Sequence, residues 1–196
     1  DAGAGYNTYV WSNSESSQTT YITAPGTITV TVSDVNGCTG TDNVIVNENS
    51  NPVPEIEGSL EICEGDSTLL DAGTFNSYDW SNAEATQTIY ALVAGDYAVT
   101  VSDVNGCSGS DTVTLVVNSN PEPEITGTLS ICEGESTTLN AGSGFSGYSW
   151  SNGSGQPSTV VNTEDTYTVT VTNAEGCTGV DSVVVMVYDN PDASIS

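Results

Sequence analysis

The chain contains no lysine, arginine or histidine, whereas 26 of its 196 residues are Asp or Glu. The formal net charge is therefore −26, although average soluble domains carry charges of both signs. Because cationic side chains are needed to neutralise phosphate groups, their absence excludes ordinary binding to nucleic acids and anionic membranes. It also excludes an imidazole base, a lysine Schiff base and a histidine-based zinc site. No motif indicates a reaction, and we expect no enzymatic activity.

Long apolar runs and helix-forming residues are also scarce. The longest apolar run, 183–187, is much shorter than the roughly 18 residues of a membrane-spanning helix. Val, Thr, Ser, Asn and Gly dominate the composition, which favours strands and tight turns. The sequence therefore predicts an all-β protein without a membrane span.

The sequence repeats with a period of 69 to 70 residues. Recurring residues mark this period: Trp11, Trp80 and Trp150, and Cys38, Cys107 and Cys177. Longer strings agree, because SLEICEGDSTLLDAG (59–73) matches TLSICEGESTTLNAG (128–142). Such self-similarity is typical of a tandem array of small structural units.

The period predicts the domain organisation. We expect a partial repeat at 1–50 that lacks its first strands, complete repeats at 51–119 and 120–189, and the start of another at 190–196. Relative to three full periods, the chain lacks a stretch equivalent to 127–139. One interpretation is that the chain is an excerpt from a longer protein. The alternative is that a neighbouring copy supplies the missing strands, as in donor-strand fibres.

Alternating apolar residues predict the strands within each repeat. Tyr97, Val99 and Val101 would share one face of a strand, and Asn105-Gly106 favours a hairpin turn directly after it. Six or seven short strands with a tryptophan on the third are typical of an immunoglobulin-like β-sandwich. The three tryptophans are therefore expected in the cores. We predict tandem sandwiches of about 70 residues, joined as a linear rod by Asn-Pro linkers that restrict φ.

The regular placement of five cysteines indicates an oxidising, extracellular setting. Their pairing depends on strand number, because an even number of antiparallel strands returns the chain to the same end of a sandwich. Counting four strands, we predict Cys63–Cys107 and Cys132–Cys177, with the partner of Cys38 outside the chain. Five strands would instead join Cys63 to Cys177 across the junction between repeats, and this alternative stays open.

Several strings resemble those of a known class of repeats. They are Trp80-Ser81-Asn82, Thr86-Gln87-Thr88, Gly95-Asp96-Tyr97 and Asp103-Val104-Asn105-Gly106-Cys107. Together with Ile-Cys-Glu-Gly-x-Ser-Thr-x-Leu, they resemble the Ig-like and PKD-like repeats of large, gliding-type Bacteroidota surface adhesins and fibres. The third repeat departs from this pattern at Gln156-Pro157 and Glu175. The resemblance implies export to the bacterial cell surface.

Oxygen-bearing side chains beside the tight turns form candidate calcium sites. They are Asp34 with Asn36 and Asp103 with Asn105, and Asn173 with Glu175 is a weaker copy. Calcium binds six to eight oxygen atoms, and a strongly acidic chain attracts divalent cations. No complete Asp-x-Asp-x-Asp-Gly loop is present, so ordinary turn chemistry is the competing interpretation. No other cofactor is expected.

The resemblance also implies candidate O-glycosylation sites at Ser67, Thr112 and Ser182. Each follows an aspartate, as in the O-glycosylation signal of Bacteroidota proteins. Exposed hydroxyls at strand edges are the competing interpretation.

Taken together, these features predict a structural segment of an extracellular filament, stalk or surface fibre. Its partners would be neighbouring repeats and identical chains. One alternative is an adhesin that binds glycans or surfaces through loops such as 142–147. Another is a set of spacer modules within a secreted polysaccharide-degrading enzyme.

Overall fold

The computed structural model describes residues 1–193, which fold entirely into strands, turns and loops. We refer to the predicted repeat segments 1–50, 51–119 and 120–189 as the first, second and third modules. The first contains β1 (Thr8–Trp11), β2 (Gly26–Ser33) and β3 (Thr39–Val46). The second module (51–119) contains β4 (Glu61–Cys63), β5 (Thr68–Asp71), β6 (Ser77–Trp80), β7 (Thr88–Ala91), β8 (Gly95–Ser102) and β9 (Ser108–Asn118). The third module (120–189) contains β10 (Ser130–Cys132), β11 (Thr137–Asn140), β12 (Gly147–Trp150), β13 (Ser158–Val161), β14 (Asp165–Thr172) and β15 (Thr178–Tyr188).

The second and third modules are two-sheet sandwiches with the same strand order. One sheet has the order β4-β9-β8-β6 and the other β5-β7, and the third module repeats this as β10-β15-β14-β12 and β11-β13. Before β4, Glu57 bridges Asp71 on β5, whereas β4 itself pairs in parallel with β9. The opening segment thus touches both sheets in turn, as it does in immunoglobulin domains. The predicted all-β, immunoglobulin-like fold is confirmed.

Each complete sandwich encloses its own apolar core. In the second module, Leu70 from β5 and Val101 from β8 are fully buried, and Trp80 from β6 is 2% exposed. The Trp80 Nε1–H donates to the Thr86 carbonyl at 2.8 Å, which pairs the one polar atom of the ring. Trp150 occupies the same place in the third module. The expected core role is confirmed for Trp80 and Trp150, whereas Trp11 of the first module is 7% exposed and belongs to neither core.

The first module is a three-stranded antiparallel sheet with the order β1-β2-β3. By contacts, the chain divides into two compact units, of which one combines Asp1–Pro52 with Ser102–Gly109 and the other holds the remaining residues. The second unit therefore contains most of the second module and the whole third module. The predicted start of a further repeat at 190–196 extends into 194–196, which lie outside the described residues. Residues 1–193 include no helix long and apolar enough to cross a membrane.

One tight turn of each module requires a left-handed backbone. The turn follows the tryptophan at the end of β1, β6 or β12. Its left-handed residue is Ser14 in the first module (φ 69°), Ala83 in the second (φ 68°) and Gly153 in the third (φ 88°). Only glycine adopts this conformation without a steric penalty from Cβ. The first two modules thus contain a local strain that the third module avoids.

Replacing Ala83 by glycine should therefore stabilise the chain by about 1 kcal/mol, because it removes the Cβ from a left-handed position. Thermal unfolding of the variant checks this. Ala85→Gly is the matched control, since Ala85 is not among the residues with positive φ, and it should lower the stability. A lower melting temperature for Ala83→Gly would contradict the interpretation.

Candidate functional site

The most distinctive chemical feature of the chain is a disulfide between the second and third modules. Cys63 is bonded to Cys177, with 5.5 Å between the Cα atoms and a sequence separation of 114. Cys38, Cys107 and Cys132 have free thiols. The predicted pairs Cys63–Cys107 and Cys132–Cys177 are therefore wrong, and the alternative across the junction is the one observed.

The parallel pairing of the opening strand explains why the cysteines of one module cannot meet. Cys63 lies opposite Asn118 in the β4–β9 register, and Asn118 is eleven residues beyond Cys107. In the third module Cys132 lies opposite Tyr188, again eleven residues beyond Cys177. At about 3.3 Å per residue, the two cysteines of one module are separated by about 36 Å, far beyond disulfide reach.

Four strands separate the two cysteines of each complete module, as predicted. The chain crosses the sandwich once more between them without forming a strand. β10 and β12 run in the same direction. β10 is parallel to β15, and β12 is antiparallel to β14, which is itself antiparallel to β15. β11 starts at the end where β10 finishes, and its antiparallel partner β13 therefore finishes there too. Because β12 and β13 both finish at that end, residues 151–157 carry the chain back between them. This fifth crossing places the cysteines at opposite ends.

The two bonded sulfurs lie where the chain leaves the second module. Cys63 is opposite Asn118 at the end of β9, and the Cys177 Sγ lies 3.9 Å from the Asn118 carbonyl oxygen. Cys177 belongs to the turn between β14 and β15 and is 1% exposed. The disulfide therefore fastens a turn of the third module to the first strand of the second.

Hydrogen bonds hold the linker between these modules on both sides. The Asn120 side-chain amide donates to the Glu64 carbonyl at 2.9 Å, next to Cys63. The Asn173 side-chain amide donates to the Ser119 carbonyl at 3.1 Å, in the same turn as Cys177. Asn190 repeats the first bond by donating to Glu133 at 3.1 Å. Sequence analysis missed this role of the linker asparagines, although their regular spacing was the available signal.

A glycine allows the linker to lie directly on the last strand of the third module. A Cβ at Gly179 would overlap the carbonyl oxygen of Pro121. Proline fixes φ in the linker, so a preset backbone segment lies against β15. The junction thus combines a covalent bond, side-chain hydrogen bonds and close backbone packing.

The residues predicted to bind calcium organise the turn that carries the second cysteine. Asp103 Oδ1 accepts hydrogen bonds from the Asn105 and Cys107 amides at 2.9 Å each. Asp34 Oδ1 does the same with Asn36 and Cys38 at 2.8 and 2.9 Å. Within residues 1–193, no group of three or more His, Cys, Asp or Glu is placed to hold a metal ion. Calcium binding stays a prediction.

These hydrogen bonds lower the pKa of both aspartates. The Cys38 amide is the main reason that the pKa of Asp34 lies below its ordinary value of 3.8. For Asp103, desolvation raises the pKa, but the amides of Cys107 and Asn105 and the Asn105 side chain outweigh it and leave the pKa below 3.8. The ionised carboxylates therefore stabilise their turns above this value, and the stabilisation is lost as the pH falls below it.

The predicted O-glycosylation hydroxyls of Ser67, Thr112 and Ser182 are exposed. The aspartates beside the last two have a structural role. Asp111 Oδ2 accepts a hydrogen bond from the Ile56 amide at 2.8 Å, and Asp181 Oδ2 accepts one from Ile125 at 2.7 Å. Their recurrence at one repeat position is therefore explained by packing of the opening segment. Glycosylation itself stays a prediction.

No protein-family profile and no curated protein sequence matches the chain. Among solved structures it is similar to murine CEACAM1b, with 12% identity, 69% of this chain and 100% of that chain covered, and a TM-score of 0.33. It is also similar to a Ca²⁺-stabilised, ice-binding adhesin of an Antarctic bacterium, with 15% identity, coverages of 85% and 58%, and a TM-score of 0.40. A third similarity is to SGBP-B of the Bacteroides ovatus mixed-linkage glucan utilization locus, with 13% identity, coverages of 94% and 60%, and a TM-score of 0.24. The immunoglobulin-like assignment rests on the strand order and pairing of this chain itself.

Removing the disulfide should destabilise the second and third modules together. We expect Cys63→Ser and Cys177→Ser each to lower the free energy of unfolding by about 2–4 kcal/mol, since a bond closing so long a loop restricts the unfolded chain. Denaturant unfolding without reductant checks this, and Cys132→Ser, which removes an exposed free thiol, is the matched control. A non-reducing digest that links Cys63 to Cys107 would contradict the assignment.

Replacing Asp103 by asparagine should preserve the turn and reduce its sensitivity to acid. The third module already has Asn173 at this position, where its Oδ1 accepts from the Cys177 amide at 2.8 Å. An amide does not titrate in the acid range, so Asp103→Asn should lose less thermal stability than the parent below pH 3.8. The measurement is the melting temperature against pH, with the substitution Asp79→Asn at an exposed position of β6 as control. Equal acid sensitivity in all three proteins would contradict the role of Asp103.

Proposed function

We propose that the chain is a load-bearing structural segment of an extracellular bacterial surface protein, a stalk or filament built from immunoglobulin-like modules. The observation that carries the proposal is the Cys63–Cys177 bond across a module junction. A disulfide within one domain supports only that domain, whereas this one joins two successive domains. The proposal assigns no catalytic site.

The position of the disulfide determines which part of the chain is stretched under tension. Force entering from the amino-terminal side reaches Cys63 and passes through the sulfur bridge to Cys177. The residues between them, which include β5 to β14, are therefore bypassed. This segment cannot be extended unless the disulfide is reduced, and the linker hydrogen bonds at Asn120 and Asn173 help to keep the junction closed.

The surface properties of the chain support an extracellular location. A disulfide persists in oxidising compartments, and a net charge of −26 keeps neighbouring copies apart in solution. The absence of lysine and arginine leaves trypsin-like proteases no cleavage site. The resemblance of the repeat strings to Bacteroidota surface proteins points to the same location, and two of the similar solved structures are bacterial surface or adhesion proteins.

Single-molecule stretching tests the proposed mechanical role. Pulled from its two ends without reductant, the chain should unfold without extending the segment between Cys63 and Cys177. Reductant should then add an extension of about 400 Å, which corresponds to the sequence separation of 114 between the two cysteines at about 3.5 Å per residue. Cys177→Ser should show the longer extension without reductant, and Cys132→Ser should behave like the parent. Equal extensions in the presence and absence of reductant would refute the role.

The second candidate function is adhesion through loops. The similar structures include an ice-binding bacterial adhesin and SGBP-B in complex with a mixed-linkage heptasaccharide. The loop 142–147 is the segment predicted for this role. Its one aromatic residue, Phe145, packs edge-on against Tyr148 at 5.9 Å between ring centroids and contacts the core. No aromatic platform for a sugar is therefore left on this loop. Binding of the isolated chain on a glycan array would favour adhesion.

The remaining alternative is a spacer role in a secreted polysaccharide-degrading enzyme. It would require a catalytic domain in the same gene product.

A further inference from the structure

The first module lacks, among the described residues, any counterpart of β4 and β5. Asp1 and Ala2 align with Asp71 and Ala72, since the Ala2 amide donates to Gln18 at 3.0 Å as the Ala72 amide donates to Gln87 at 3.1 Å. The residues that would precede them correspond to β4 and most of β5. The counterpart of β7 in the first module, 19–22, forms no strand, and residues 1–193 supply it with no equivalent of β5, which pairs with β7 in the second module.

The edge of the first sheet is shortened where β4 would pair. β3 ends at Val46 and has 8 residues, whereas the equivalent β9 has 11. The three additional residues of β9, Val116 to Asn118, are those that pair with β4. Residues 47–49 of the first module are their equivalents and lie outside any strand. Within residues 1–193, the edge of this sheet therefore ends before the positions at which β9 pairs with β4.

The inner face of the same sheet is also uncovered. A cavity of about 460 Å³ is lined by apolar residues that include Trp11, Ile28 and Val30, and by polar residues that include Thr20 and Asp42. Val30 is 9% exposed, whereas its equivalent Val99 is 1% exposed. In the second module this face packs against Leu70 of β5, which is fully buried. The open face thus lacks one strand with a large aliphatic side chain.

The Asp42 carboxylate of the first module corresponds to carboxylates that accept a backbone amide of the opening segment in the other two modules. Asp42 is equivalent to Asp111, whose Oδ2 accepts from the Ile56 amide just before β4. Asp42 Oδ1 accepts from its neighbouring Asn43 amide at 2.8 Å. Its Oδ2 has no hydrogen bond within residues 1–193, and the residue lines the cavity. In the second module that amide belongs to the opening segment, which has no counterpart of its own for the first module among residues 1–193.

A free thiol completes the arrangement. Cys107 Sγ lies 3.9 Å from the Asn49 carbonyl oxygen, as Cys177 Sγ lies 3.9 Å from that of Asn118. Asn49 is the equivalent of Asn118, and Asn118 is the residue opposite Cys63. A strand that pairs with residues 47–49 as β4 pairs with β9 would therefore bring its cysteine to Cys107.

We propose that the first module binds a two-strand segment with the sequence pattern of residues 54–70, and that the cysteine of this segment forms a disulfide with Cys107. The segment supplies one strand to the edge beyond β3, one aliphatic side chain to the cavity and one backbone amide to Asp42. In the covalent step the two thiols lose two protons and two electrons, and a disulfide oxidant such as glutathione disulfide is reduced to two thiols. This binding is independent of the load-bearing role proposed above.

The test uses the whole chain and a synthetic peptide, Pro-Glu-Ile-Glu-Gly-Ser-Leu-Glu-Ile-Cys-Glu-Gly-Asp-Ser-Thr-Leu-Leu, copied from residues 54–70. Both are incubated in a glutathione redox buffer, and peptide mapping by mass spectrometry measures the adduct at each free thiol. We expect at least tenfold more adduct at Cys107 than at Cys38 or Cys132, because binding raises the local concentration of the peptide thiol (roughly millimolar for a tethered group). Cys107→Ser should abolish the preferred adduct.

Two peptide variants separate binding from unguided thiol exchange. The last two residues of the peptide correspond to Leu69 and Leu70. In the second module Leu70 is fully buried, whereas Leu69 is 46% exposed. Serine in place of the peptide residue that corresponds to Leu70 should remove the preference for Cys107. Serine in place of the residue that corresponds to Leu69 should preserve it. Equal labelling of the three thiols by all peptides, or no adduct at Cys107, would overturn the proposal. A Cys107-linked dimer of the chain that the peptide does not displace would also overturn it, because a second copy would then cover this face.

Discussion

The parallel pairing of a three-residue strand with the last strand of the same sandwich determines the chemistry of this chain. Since β4 runs beside the end of β9, Cys63 is placed at Asn118 and far from the cysteine of its own module. The next module then brings Cys177 to that point. One short backbone pairing therefore converts a bond that would have stabilised single domains into one that connects successive domains.

Polar side chains support this arrangement with little help from charge pairing, because the chain has no cationic side chain. Aspartates accept backbone amides at the cysteine turns and at the opening segments, as with Asp103 and Asp111, while asparagines tie the linkers to the modules. Within residues 1–193, every buried side-chain nitrogen or oxygen has a hydrogen-bond partner. Carboxylates bound to neutral amides thus perform the structural work that salt bridges perform in proteins of mixed charge.

Local patterns in the sequence predicted the elements that follow them. The alternation of Tyr97, Val99 and Val101 predicted β8, and Asn105-Gly106 predicted the turn after it. The disulfide could not be predicted in this way, because β4 is too short to show alternation and residues 151–157 cross the sandwich without forming a strand. The contact of Asp111 with Ile56 spans 55 residues, so its recurrence was visible but its purpose was not.

The sulfur bridge also changes what a break in the polypeptide would do. Most peptide bonds of the two complete sandwiches lie between Cys63 and Cys177. Hydrolysis of any one of them leaves both fragments attached to each other through sulfur. Severing the molecule in this region therefore takes two separate chemical events, one at a peptide bond and one at the bridge, and a single nick by a foreign hydrolase would leave it in one piece.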